Sequence, residues 1–200
     1  GWLENSAEGY PGSRREYTRV AVRRGMVAGA LRVTSETIRL GEARLRMGGL
    51  GYVTTHPDHR HQGIARALVS DTMAFLRRHG FHVSMLLGIP NFYSRFGFVS
   101  TLPEYEIRID VDEALQGQAG NLRVRDGKPG DLRAVQQMHE RNDTETACSL
   151  VRSAAHMSSR WERWQTLRVL VNENGRAVGY YVPHDTGDRY VIDEAGVLEQ

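Results

Sequence analysis

The stretch Val53 to Leu68, Val-Thr-Thr-His-Pro-Asp-His-Arg-His-Gln-Gly-Ile-Ala-Arg-Ala-Leu, restricts the fold more than any other in the chain. The β-branched run Val53, Thr54, Thr55 suits an extended chain, Pro57 and Asp58 break it, and Gly63 opens an apolar pattern of helical period. A strand, a turn and a helix in that order point backbone N–H groups into one concave corner. The first amides of a helix have no partner within it, and the helix dipole adds partial positive charge there. A pyrophosphate suits such a corner. Gly63 and Ala65 leave room for its close approach, and Arg60 supplies a permanent cation with several donors. On spacing alone, a plain strand-to-helix connection with a glycine for geometry stands equally open.

The residues around the turn add more. Arg60-His61-Gln62-Gly63-Ile64-Ala65 resembles the Arg/Gln-x-x-Gly-x-Gly/Ala signature of the GCN5-related N-acetyltransferases (GNAT), and Val53 to Pro57 is similar to the strand end before it. A second block, Asn91-Phe92-Tyr93-Ser94-Arg95-Phe96-Gly97-Phe98, resembles that family's Tyr-x-x-x-Gly-Phe segment. Its form is especially similar to the enhanced-intracellular-survival branch, whose members carry two acetyltransferase-like domains in tandem. The motif-bearing resemblance covers roughly Tyr17 to Asp110.

The resemblance implies an α/β (α+β) GNAT fold, a mixed, mostly antiparallel sheet flanked by helices, with a second partial GNAT-like domain. It implies an N-acetyltransferase that moves an acetyl group from acetyl-CoA, its cosubstrate, to a primary amine by direct attack on the thioester. Arg60, His61, Gln62, Gly63, Ile64, Ala65 and Arg66 would hold the pyrophosphate, and Val53, Thr54 and Thr55 the pantetheine. Asn91 joins the cofactor set, and Tyr93 is the acid for the departing thiolate. A phenol with an ordinary pKa of about 10 keeps its proton at neutral pH. The competing reading of Tyr93 is a core aromatic beside Phe92 and Phe96.

Composition limits the other classes. The 200 residues are 40% hydrophobic and 25% charged, the balance of an ordinary soluble globular chain. A net charge of +2 is too small to argue for nucleic acid, and the arginine pairs Arg14-Arg15 and Arg23-Arg24 read as solvated faces. Lys128 is the only lysine. Cys148 stands alone, so a reducing cytoplasm is the simplest compartment. No apolar run approaches a membrane span and no signal-peptide layout opens the chain, so no membrane association is expected. His56, His59 and His61 lack metal-site spacing and accompanying carboxylates, so no metal is expected.

Taken in order, Gly1 to Ser13 is too short for the strand and paired helices that open a typical acetyltransferase domain. Tyr17 to Val33 reads as a hairpin turning at Arg24-Gly25, and Ile38 to Leu50 as a strand pair turning at Gly41-Glu42. Gly48, Gly49 and Gly51 suggest a bulge or the close approach of another backbone. Ile64 to His79 is the best helix, with Ile64, Leu68, Val69, Phe75 and Leu76 on one stripe and Gly80 as its stop. Phe81 to Leu87 reads as a buried strand, Gly88-Ile89-Pro90 as a turn, Asn91 as the cap of a short helix, and Tyr105 to Asp110 as a closing strand.

These assignments give an acetyl-CoA-binding GNAT domain over 1–110, a linker over 111–121 containing Ala114-Leu115, and a partial second GNAT-like domain without a cofactor turn over 122–200. In that second part Asp131 caps a helix, Ala154 to Leu167 forms another, and strands follow at Val169–Val171 and Ala177–Val182 about a turn at Asn174-Gly175. The chain opens on Gly1 rather than methionine and stops in an unfinished domain, as expected of a fragment or a processed chain. Glu42, His56 or an ordered water are the candidate bases, and Gln200 is not assigned that role. The acceptor is a small-molecule or protein amine, and a homo-oligomer is compatible with the tandem branch. The rival reading is a catalytically silent acyl-CoA-binding or interaction module of the same fold.

Overall fold

The computed structural model describes residues 11–89, 91–101, 107–110, 112–113, 116–117, 120–161, 164–187 and 189–198. Expectations resting on Pro90, Tyr105, Ala114-Leu115, Gln200 and residues 1–10 lie outside them. The chain divides into two compact units, one running to Phe98 and including Thr146–Ser159, the other comprising Val99–Glu145 and the chain from Arg160 on.

The first unit is built on three long strands. β1 (Arg19–Arg23) turns at Arg24-Gly25, both with positive φ, into β2 (Met26–Leu40), which turns at Gly41-Glu42 into β3 (Ala43–Thr55). All three pair antiparallel, with Gly41 supplying the left-handed conformation of the second turn. β2 and β3 alternate side chains between two faces. Leu31, Val33 and Leu50 occupy one face and form the core with Leu68, Val69, Phe75 and Leu76.

Those last four belong to α1 (Ile64–Arg78), which lays the expected stripe on the sheet and keeps Arg66, Ser70 and Arg77 in water. The helix passes close over Gly48, where an added Cβ would meet Leu76 at 2.6 Å. Its end is closed by Gly80 at φ 70°, with the Phe81 amide donating to the Leu76 carbonyl. β4 (Val83–Met85) then pairs parallel to β3 through Met47, Gly48 and Gly49. This α1 crossover gives the sheet its one parallel pair.

The second unit holds β5 (Arg123–Asp126), α2 (Leu132–Asp143), β7 (Arg168–Val171), β8 (Ala177–Asp185) and β9 (Tyr190–Val197), its four strands antiparallel in that order. Val135, Met138, Leu167, Val169, Tyr180 and Val182 are buried in it. Between them in sequence, β6 (Cys148–Leu150) pairs with Ile38–Leu40 of β2, so a late segment completes the first sheet. It leads into α3 (Ala154–Trp161).

Five local expectations change. The buried strand expected over Phe81–Leu87 is reduced to half-buried Val83–Met85, and Leu87 is exposed. Ile107 and Ile109 lie in no strand and are exposed, so the described part of the closing strand is absent. The short helix after Asn91 is one 3₁₀ turn, Ser94–Phe96, capped at Tyr93 rather than Asn91, which instead takes φ 61°. The Asp131 carboxylate does not cap α2, because Arg125 and the Lys128 amide claim it. α3 ends its described run at Trp161, short of Leu167. Among the described residues no helix is long and apolar enough to cross a membrane.

Candidate functional site

The site forms where β3 leaves its neighbours. The β2–β3 register slips between Ala30 and Arg32, so Leu31 alone faces both Tyr52 and Val53. Tyr52 absorbs the extra residue at φ 53°, a conformation that a bulky side chain adopts only at cost. The glycine cluster before it anticipates a bulge, and the bulge falls one residue beyond Gly51. On the other edge, pairing with β4 stops at Gly49 and Met85, so β3 from Leu50 onward has no described strand beside it.

Alternation fixes which backbone groups face that open edge. The His56 amide donates to Ala28 and Thr54 pairs with Ala30, so the groups of Val53 and Thr55 point the other way. A cavity of about 430 Å³ opens at the splay, walled by Arg32 and Thr34 of β2, Met47 and Gly49–Tyr52 of β3, and Met85 to Leu87. This is the size of a small-molecule pocket. An extended chain carrying amide groups could pair along that edge as an added strand would.

Past Thr55 the chain makes a 3₁₀ turn at Pro57–His59 and reaches α1 through two left-handed residues, His61 at φ 58° and Gly63 at φ 79°. Gly63 is the N-cap, and open space surrounds its missing Cβ. Its glycine therefore answers a conformational demand as well as leaving a gap. Arg60, His61, Gln62, Gly63 and Arg66 are exposed, Ile64 and Ala65 half-buried, and no acidic residue sits in the first turn of α1. The turn is braced from within, Gln62 Nε2 donating to the Asp58 carbonyl at 3.0 Å.

Arg23, at the end of β1, donates to Gln62 Oε1 and so brings another guanidinium to this turn. Sequence reasoning left Arg23 as a solvated face, since only the hairpin's register carries it here. β2 approaches just as closely at Gly29, where a Cβ would meet Ile64 at 2.7 Å and the Thr54 carbonyl at 2.8 Å. A helix start with several cations and free amides is a phosphate cradle in chemical terms.

Tyr93 lies on the same core cluster as Val53 and Ile64. Its ring packs over Gly88, where a Cβ would meet Tyr93 Cε2 at 2.5 Å and Leu86 Cδ1 at 2.6 Å, and Leu86 is part of the cavity wall. Phe92 and Phe98 meet it edge-on at 4.9 and 6.1 Å between ring centres. Burial pushes the phenol above its ordinary pKa of 10.0, so it holds its proton. Arg95 stacks outward on Phe92. Asn91 is exposed in the left-handed region beside this block.

Of the candidate bases, Glu42 sits in the β2–β3 turn, roughly 30 Å along β3 from the bulge at Tyr52 at 3.3 Å per residue. It cannot serve there. His56 is exposed on the turn and accepts from the Asp58 amide. His56 and His59 stand 5.7 Å apart, and among the described residues no three metal-ligating side chains converge.

A mostly antiparallel sheet with one parallel crossover, bulged and splayed beside a helix N-terminus, is an α/β fold of the acetyltransferase type. Residues 5–101 match the family described as an acetyltransferase (GNAT) domain, and the chain is similar to the GNAT superfamily over that span. No curated protein matches the sequence significantly. Among solved structures, a GCN5-related N-acetyltransferase from Anabaena variabilis ATCC 29413 is similar at 19% identity and TM-score 0.73, over 100% of this chain and 52% of that one. Eis1 from Mycobacterium abscessus is similar at 17% identity and TM-score 0.61, over 92% of this chain and 50% of that one. Saccharomyces cerevisiae N-myristoyltransferase with bound myristoyl-CoA is similar at 10% identity and TM-score 0.61, over 98% and 56%. The chain spans about half the length of these structures.

Proposed function

We propose that this chain binds acetyl-CoA in the cytoplasm and transfers its acetyl group to a primary amine. The observation that carries the reading is the continuity of one edge: the groups of Val53 and Thr55, unpaired among the described residues, run directly into the left-handed start of α1. The pantetheine amides pair with that edge beside Thr54, and the pyrophosphate sits on the amides of Arg60 to Arg66. Asn91 flanks the donor, and the residues after 122, apart from Thr146–Ser159, form a second, partial domain without a phosphate turn.

The chemistry needs no covalent enzyme intermediate. The amine attacks the thioester carbonyl, the C–S bond breaks with its electron pair passing to sulfur, and Tyr93 gives the thiolate its proton. Support for Tyr93 in this role comes from its place beside the cavity wall and from the burial that keeps it protonated.

The test begins with the melting temperature in excess acetyl-CoA, with dephospho-CoA and ATP as controls. At a hundredfold excess over Kd a specific ligand stabilises the fold by about 2.7 kcal/mol. A shift followed by thiol release with members of an amine panel supports the enzyme, whereas a shift with no release supports a silent acyl-CoA-binding module. No shift overturns the donor site.

A further inference from the structure

Around the cavity at the splay, Met47, Met85, Leu86 and Leu87 stand about Gly49 and Gly51, which lie opposite Thr34 and Arg32 of β2. Both polar neighbours are engaged within the protein. Arg32 donates from Nε and Nη2 to Ser13 Oγ at 3.1 and 2.5 Å and lies over the Tyr52 ring, and the Thr34 hydroxyl faces the Gly49 carbonyl. No carboxylate is among the described residues of the wall. An amine arriving as an ammonium ion finds no counter-charge there and meets a buried cation instead. An uncharged, apolar group suits this wall better.

Gly51 is glycine for neither of the usual reasons. It is not among the residues with positive φ, and open space surrounds its missing Cβ. Since Gly51 lines the cavity, a side chain there would take up cavity volume. Gly49, one step back on the same face, is tight by contrast, for a Cβ there would meet Thr34 Oγ1 at 2.5 Å. The volume of about 430 Å³ far exceeds an acetyl group, whose three heavy atoms need roughly 90 Å³ at about 30 Å³ each. Met47 and Met85 have flexible side chains that mould to an irregular occupant.

The direction of the edge says which group enters. With phosphates at the start of α1 and pantetheine amides beside Thr55 and Val53, the donor runs toward the beginning of β3. Its sulfur stands two methylenes past the last amide, about one strand residue at 3.3 Å, and so comes beside Tyr52 and Gly51. The acyl group continues toward Gly49, where pairing with Met85 closes the edge. We propose that the cavity is the acyl pocket of the donor and takes straight, uncharged acyl chains of about four to eight carbons as well as acetyl, with Gly51 setting the length limit. The inference rests on the acyl-transfer reading above. The step is the same for every chain: the amine attacks the acyl carbonyl, the C–S bond breaks with its electron pair passing to sulfur, and Tyr93 protonates the thiolate. The proton lost by the attacking nitrogen restores Tyr93.

The test measures by calorimetry the Kd of acetyl-, butyryl- and hexanoyl-CoA for the parent and for Gly51→Ala, Gly51→Val and Gly51→Leu. In the parent, Kd should fall about fourfold for each added methylene. Along the substitution series the ratio of acetyl-CoA Kd to hexanoyl-CoA Kd should fall stepwise, about tenfold or more at leucine, as the side chain takes the volume of the acyl chain. Gly51→Ala covers the case where the larger variants fail to fold. A parent that binds hexanoyl-CoA no more tightly than acetyl-CoA, or a chain-length gain that survives every folded Gly51 substitution, overturns the acyl pocket and leaves the donor reading standing. No binding of any of the three thioesters overturns the donor reading and this inference with it.

Discussion

At the scale of single residues, Gly63 and Tyr93 bear on donor binding and chemistry separately. Gly63→Glu forces a side chain into a left-handed backbone, at roughly 1–2 kcal/mol, and sets a carboxylate where the phosphates belong. The expected result is a folded protein whose melting no longer responds to acetyl-CoA. Tyr93→Phe should keep that response and lower kcat about a hundredfold or more. Burial raises the Tyr93 pKa, so its neutral form is favoured in the fold, and that contribution is complete below pH 10 and lost as pH rises through the folded value. An alkaline limb in the parent's kcat profile should therefore lie above pH 10 and vanish in Tyr93→Phe. Gly63 and Tyr93 were legible because each sits in a local pattern of a few residues. The hydrogen-bonded pair of buried Glu36 with His156 was not: the two lie 120 positions apart, and nothing near Glu36 in sequence marks it as buried.

At the scale of elements, α1 was readable because its apolar stripe meets one continuous sheet face, and the two long hairpins because glycine marks both turns. β6 is three residues long, and its pairing with β2 is the only reason it is a strand. β9 alternates poorly, with Tyr190, Ile192 and Val197 all exposed, so it carries a weak period-two signal. Asp131 shows the same contest between local rule and tertiary partner. It sits at the helix-cap position but gives both oxygens to Arg125, at 2.7 and 2.8 Å, and accepts from the Lys128 amide at 2.8 Å. The Arg125 hydrogen bonds, with help from the Lys128 amide, hold its carboxyl below the ordinary range. A depressed carboxylate stabilises the fold above the unfolded pKa of about 4, and that stability is lost as pH falls through the folded value. Asp131→Asn should cost about 1.5–3 kcal/mol at neutral pH in denaturant titrations, and the gap to the parent should close as the solution is acidified below pH 4.

At the scale of the whole molecule, the division into units does not follow the order of the chain. Thr146–Ser159 belongs with the first unit although the sequence places it well inside the second half. His156→Ala should therefore destabilise the sheet that carries the cavity, by roughly 3–5 kcal/mol, since it strands a buried carboxylate. The double variant Glu36→Gln/His156→Ala should cost less than the sum of the singles, a non-additivity readable in a thermodynamic cycle. The pairing of β6 with β2 also matters during synthesis. Closing a loop of more than a hundred residues is entropically costly, and contacts of such sequence separation form late. A nascent chain that has already made both GNAT motifs still lacks an edge strand and the helix bearing His156, so the sheet leaves the ribosome with an open flank. Until residue 159 emerges, that flank is exposed to wrong partners, and the molecule's dependence on chaperones should be greatest in this interval.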